Sequence, residues 1–171
     1  MRRPDASEHA PYFSRYIDLV PEDDVLTVLQ TQSDQTQQML ASISEERSAY
    51  RYEPEKWSIK GVVGHMADTD RIFGYRLLAI ARGDTNSLPG FDENAYAANS
   101  NFDRWSFRDL VESLSLVRKS NLLVMRNLLD EDWDRRGVAN GNPTSSRALA
   151  FMMVGHERHH VKVLRERYSV A

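Results

Sequence analysis

The chain has 171 residues, 41% hydrophobic and 27% charged, with a formal net charge of -3. This is one domain or at most two small ones, long enough to bury a sizeable core, and neither disordered nor membrane-like. Cysteine is absent, which excludes a disulfide framework, a zinc ribbon and a protein thiol nucleophile. A metal would have to be held by His, Asp or Glu, and a reacting thiol would have to arrive on a small molecule.

Residues 1–20 read as an irregular lead-in whose aromatics, Tyr12, Phe13 and Tyr16, pack on the domain surface. They lack the apolar segment of a signal peptide, so a cytoplasmic protein is expected. His9 reads as a solvated tail residue. No apolar run approaches the roughly 20 residues that span a bilayer, so no membrane partner is expected. Scattered basic residues argue against nucleic acid as the main partner.

A bundle domain is expected over 21–171. Its first helix should begin near Pro21-Glu22-Asp23-Asp24, because proline suits the first helical position and acids suit the positive end of the helix dipole. Val25, Leu29, Thr36, Met39, Leu40 and Ile43 supply an apolar stripe, and the unusually polar centre, Thr31 to Gln38, is expected to face solvent in preference to the alternative, a polar pocket opposite it. Ser58 is placed to cap a second helix over about 59–82, ended by Gly83. Its stripe includes Val62, His65, Met66, Thr69, Ile72, Phe73, Leu77 and Ile80. Asp68, at the edge of that face, reads either as a hydrogen-bond partner for an imidazole or as an ordinary surface carboxylate.

Residues 84–105 form a long connection with a Pro89-Gly90 turn. Ser106 and Asp109 start a third helix in a capping-box-like arrangement, with Leu110, Val111, Leu114, Val117, Asn121, Val124, Met125 and Leu128 on its stripe. A second long connection, 129–144, is rich in Gly, Asn and Pro, and no convincing β pattern is visible. Thr144 or Ser145 then caps a last helix that runs to about Arg167.

That last helix carries the chemistry. Leu149, Met152, Met153, His156, His160, Val163 and Leu164 fall on one stripe, while Arg158, Lys162 and Arg165 fall opposite. His156 and His160, four residues apart, point two imidazoles at one spot, a spacing that suits a metal, although this helix alone favours a pair of hydrogen-bonded, partly buried histidines. Four amphipathic helices favour a bundle, and bundles build metal sites from facing helices. The second helix offers His65. Three neutral imidazoles with an open position form a catalytic type of metal site that zinc, nickel, iron or manganese would suit. His159 lies about 60° further off the stripe and reads as a flanking residue.

Trp57-Ser58-Ile59-Lys60, Gly64-His65-Met66-Ala67-Asp68 and Gly155-His156-Glu157-Arg158-His159-His160 resemble the DinB/YfiT-like superfamily of four-helix metalloproteins. So do Leu88-Pro89-Gly90-Phe91-Asp92-Glu93 and Ala139-Asn140-Gly141-Asn142-Pro143. The resemblance covers Leu19 to Tyr168. It implies an all-α, up-down-down-up four-helix bundle, frequent homodimers, and a divalent metal on His65, His156 and His160. It also implies transfer of a low-molecular-weight thiol of the bacillithiol type to an electrophilic small molecule. The same site allows a metal-dependent hydrolase or a stress-related binding protein without turnover. No general base is identified, although Asp68 and Glu157 lie near enough to consider. Arg71, Tyr75, Trp105 and Asn140 are candidates to line the pocket.

Overall fold

The computed structural model describes residues 2–171. Four long helices make the body: α2 (Val25–Ala41), α4 (Ile59–Ala81), α6 (Phe107–Arg126) and α8 (Ser146–Tyr168). Short helices α1 (Ser14–Ile17), α3 (Glu45–Ser48), α5 (Glu93–Asn99) and α7 (Asp130–Asp134) sit in the connections. A side-chain oxygen satisfies an otherwise orphaned N–H at the start of each long helix. Asp24 accepts from Thr27, Ser58 from Gly61, Ser106 from Asp109 and Ser145 from Ala148.

Several sequence expectations change. The first long helix begins at Val25 rather than Pro21, because Asp24 captures its free N–H of Thr27. Its polar centre is only partly solvated: Thr31, Asp34, Gln35 and Gln38 are exposed as expected, while Gln32, Ser33 and Thr36 are buried. Gln32 donates to the Val154 carbonyl at 3.1 Å and accepts from Arg158 at 2.9 Å. The buried face of α6 is Phe107, Leu110, Leu114, Arg118, Leu122 and Met125, rotated from the apolar stripe because a charged residue sits in its middle. The lead-in contains helical turns, and both Tyr16 and His9 are buried.

A small three-stranded sheet joins the two long connections: β1 (Ser87–Leu88), β2 (Arg136–Ala139) and β3 (Asn142–Ser145). β1 pairs with β2 in parallel, and β2 with β3 antiparallel. The hairpin turn is Asn140-Gly141, both at positive φ (51° and 71°), the backbone that a two-residue Asn-Gly turn adopts. The amide N–H of Asn140 donates to the Leu88 carbonyl, and the Asn140 side chain fills the space over Gly90.

α4 packs on α8 and α6, and α2 closes the bundle against α6 and α8. The core has two parts. One gathers Phe73, Leu77, Ile80, Leu122 and Met125 around Leu149, Phe151, Met152 and Met153. The other gathers Val62, Val63, Met66, Leu110 and Leu114 around Leu164 and Tyr168. On α8, His156 and His160 follow the first set and precede the second. Among the described residues no helix is long and apolar enough to cross a membrane.

Candidate metal centre

The structure brings His65 of α4 together with His156 and His160 of α8. Nε2 of His156 lies 3.0 Å from Nε2 of His65 and 3.1 Å from Nε2 of His160. One ligand atom from each residue falls within a mutual distance of 4.8 Å, and all three residues are buried. His156 and His160 meet because one turn of α8 separates them. His65 joins them because α4 and α8 pack face to face.

Burial dominates their titration. It pushes His65 down to about 4, helped by the nearby charge of His159. Burial, then the neighbouring histidines, holds His156 and His160 well below the usual imidazole value. The centre is therefore three neutral imidazoles at neutral pH. Three Nε2 atoms aimed at one point cannot all be satisfied by one another, since each contact needs one donor and one acceptor. His160 Nδ1 is buried without a partner, which leaves that ring's hydrogen bonding incomplete within the protein. Metal–nitrogen bonds of about 2.0–2.1 Å place ligand nitrogens roughly 2.8–3.4 Å apart for angles between 90° and tetrahedral. The contacts from His156 to His65 and to His160 fall in that interval, and all three atoms lie within 4.8 Å of one another, a grouping that could hold a divalent cation.

The three histidines open onto a cavity of about 490 Å³. Tyr12, Phe13, Tyr16, Trp57, Phe73 and Phe91 give it aromatic walls, and Thr69, Arg76, Glu93, Asn140 and Asn142 give it polar ones. The Trp57 ring lies 4.9 Å from His65 and the Tyr16 ring 5.4 Å from His156, centroid to centroid. Tyr16 therefore belongs to the site rather than to the outer surface.

Of the other candidates, Asn140 lines the cavity. Arg71, Tyr75 and Trp105 do not line it. Arg71 pairs with Asp68 at 3.3 Å and bonds Ser113; Asp68 is half-buried, and its carboxylate meets Arg71 and not an imidazole. Glu157 is held by Arg118 at 2.7 Å, and Arg118 also grips Asp70 through two bonds of 3.0 Å. That carboxylate is committed to a buried ion network and is not free as a base. His159 sits beside the triad with its ring 5.6 Å from Tyr16. Sequence reasoning missed Arg76 and the cavity aromatics. Arg76 stands eleven residues after His65, three helical turns on, within about 20° of the same face. Asn140-Gly141 was a hairpin signal that would have brought Asn140 and Asn142 to the cavity mouth.

Fold and site together define a four-helix protein built around a three-histidine centre. The chain belongs to the DinB superfamily, whose family model matches residues 29–164. Among solved structures it is similar to YfiT from Bacillus subtilis, described as "a probable metal-dependent hydrolase with an unusual four-helix bundle topology". The TM-score is 0.75 at 16% identity, over 99% of this chain and 95% of that one. It is also similar to a mycothiol-dependent maleylpyruvate isomerase, with a TM-score of 0.69 at 13% identity. That match covers 85% of this chain and 61% of the isomerase. These are likenesses of fold. No curated protein matches the chain.

Proposed function

We propose that this protein holds a divalent transition metal on His65, His156 and His160 and transfers a low-molecular-weight thiol, of the bacillithiol type, to an electrophilic small molecule. The observation that carries the reading is three buried, neutral imidazole nitrogens converging at the edge of an aromatic cavity. When bound there, the cation supplies positive charge that favours the ionised form of a thiol whose pKa is otherwise about 8.5.

The protein's own residues supply the rest. Neutral ligands leave the site's charge uncancelled and so favour an anionic sulfur. Tyr16, Trp57 and Phe73 exclude water around the reacting atoms and give the electrophile apolar contact. The chain has no cysteine to compete with the incoming sulfur. In the reaction the thiolate forms a carbon–sulfur bond, the leaving group departs with its electron pair, and the thiol proton goes to solvent. The same reading includes an up-down-down-up course of the long helices. Contacts running in step between α4 and α6 (Asp70 with Arg118, Gly74 with Asn121), and in opposite order along α8 from Trp57, just ahead of α4, to His65 within it (Trp57 with Tyr168, His65 with His156), support it.

The test uses tag-free, metal-loaded protein with bacillithiol, mycothiol, glutathione or cysteine and monochlorobimane, following conjugate formation and chloride loss. Acceleration that disappears in His160→Ala supports transfer. Uncatalysed rates at full metal occupancy overturn it. Hydrolysis of an ester or lactone without thiol would assign the site instead to a hydrolase, the activity named for YfiT.

A further inference from the structure

Among the described residues four buried ones carry a lysine or arginine charge: Lys60, Arg76, Arg118 and Arg147. Lys60 meets Glu45, Arg118 meets Asp70 and Glu157, and Arg147 meets Glu8 and Asp134. Arg76 differs. It is only 4% exposed, yet among the described residues no carboxylate lies within ion-pair distance of it. Its Nη2 donates to the Pro89 carbonyl at 2.6 Å, and its guanidinium lies 5.8 Å from the Phe91 ring centroid. These contacts fix the fork without neutralising it. Burying a charge without a counter-charge is costly, and here the charge forms part of the cavity wall beside the triad.

On α4 the cavity-lining residues His65, Thr69, Phe73 and Arg76 make one stripe. The Thr69 hydroxyl on that stripe is also buried without a hydrogen-bond partner. The wall thus presents an unpaired cation and an unsatisfied hydroxyl along a line leading away from the histidines.

We propose that Arg76 is a subsite for the carboxylate of a small-molecule ligand whose other end lies at the three histidines, so that the site selects monoanionic, carboxylate-bearing molecules. Arginine's planar fork matches a carboxylate's two oxygens. A single cation balances one negative charge, and Glu93 on the same cavity opposes a dianion, which favours carboxylate over phosphate. The subsite deepens the thiol-transfer reading, and it stands or falls separately from that reading in the following experiment.

Cobalt(II)-loaded protein is titrated with ω-mercaptoalkanoates, from mercaptoacetate to 8-mercaptooctanoate, and with mercaptoalkanols of matching length, following the sulfur-to-cobalt absorption. A charge-assisted bond is worth about 1.5–3 kcal/mol, or roughly 10- to 100-fold in affinity. At one chain length the carboxylate should bind tighter by that factor. Arg76→Gln should bring the carboxylate and alcohol of that length to equal affinity, and Arg76→Lys should restore part of the difference. A carboxylate advantage absent in wild type, or surviving in Arg76→Gln, overturns the inference. In a second arm, metal-free protein is titrated with hexanoate, hexanol and hexyl phosphate by calorimetry. Hexanoate should bind with the same Arg76 dependence, and preference for hexyl phosphate overturns the carboxylate assignment. Thiols that fail to bind while hexanoate binds through Arg76 would sink the thiol reading alone.

Discussion

Glu8 shows how a buried charge is made tolerable in this fold. It is fully buried in a lead-in that otherwise looks dispensable. Arg147, at the start of α8, reaches it through Nε at 2.7 Å and Nη2 at 3.1 Å. Burial pushes the Glu8 carboxyl up, but the bonds from Arg147, then Ser145 and the Asp5 backbone, outweigh it and hold the group down to about 2, against an ordinary 4.5. A carboxylate whose folded pKa is lowered stabilises the fold above its unfolded pKa. That contribution is lost as pH falls from about 4.5 through about 2, because the unfolded chain takes up the proton first. Glu8→Gln should therefore be less stable than wild type at pH 6, and the gap should narrow steadily as pH falls from 5 to 2.5. Urea unfolding of both proteins across that range checks it. A constant gap would mean the carboxylate's charge contributes nothing.

At the level of elements, α8 is the best determined helix and also the one most dependent on its neighbours. Every residue from Ser146 to Glu157 is buried, so the helix needs cover on all sides and not only along its apolar stripe. The lead-in supplies part of that cover. A Cβ at Gly155 would overlap the Tyr16 backbone, including its carbonyl oxygen, and a backbone cannot swing aside as a long side chain can. Gly155→Ala should destabilise the protein by about 1–3 kcal/mol, the usual cost of overpacking, and displace Tyr16 from the cavity. A urea midpoint within error of wild type would show the lead-in to be loosely held.

Legibility followed the same physics. α4 and α8 were readable because their stripes, caps and the Gly83 terminator agree, and the three histidines sit on those stripes. On α2 the exposed Thr31, Asp34, Gln35 and Gln38 were readable, but Gln32 looks like surface too, whereas it serves a helix carbonyl and Arg158. Arg118 was unreadable as core because its partners, Asp70 and Glu157, come from two other helices. The strands were hidden because two to four residues cannot show an alternating pattern, and Pro143 within β3 argues against a strand.

At the scale of the whole molecule, the triad ties α4 to α8 where the two halves of the core meet. A cation there would cross-link directly two helices otherwise joined by packing and through Arg118, which pairs with Asp70 of α4 and Glu157 of α8, and the unfolded chain offers no preformed site. A ligand that binds only the folded state adds RT ln(1 + [L]/Kd), about 4 kcal/mol at a thousandfold excess over Kd. Chelator removal should thus lower the midpoint of thermal unfolding of tag-free wild type by many degrees, and adding metal back should restore it. His65→Ala, His156→Ala and His160→Ala should show neither response and should carry no stoichiometric metal by elemental analysis. His159→Ala should behave as wild type, because its ring faces Tyr16 and is not part of the converging nitrogens. The chelator response of His159→Ala separates the two arrangements of the motif: its loss would mean that His159, and not His160, completes the site. A wild type indifferent to metal under reconstitution would show that the three imidazoles meet for packing alone.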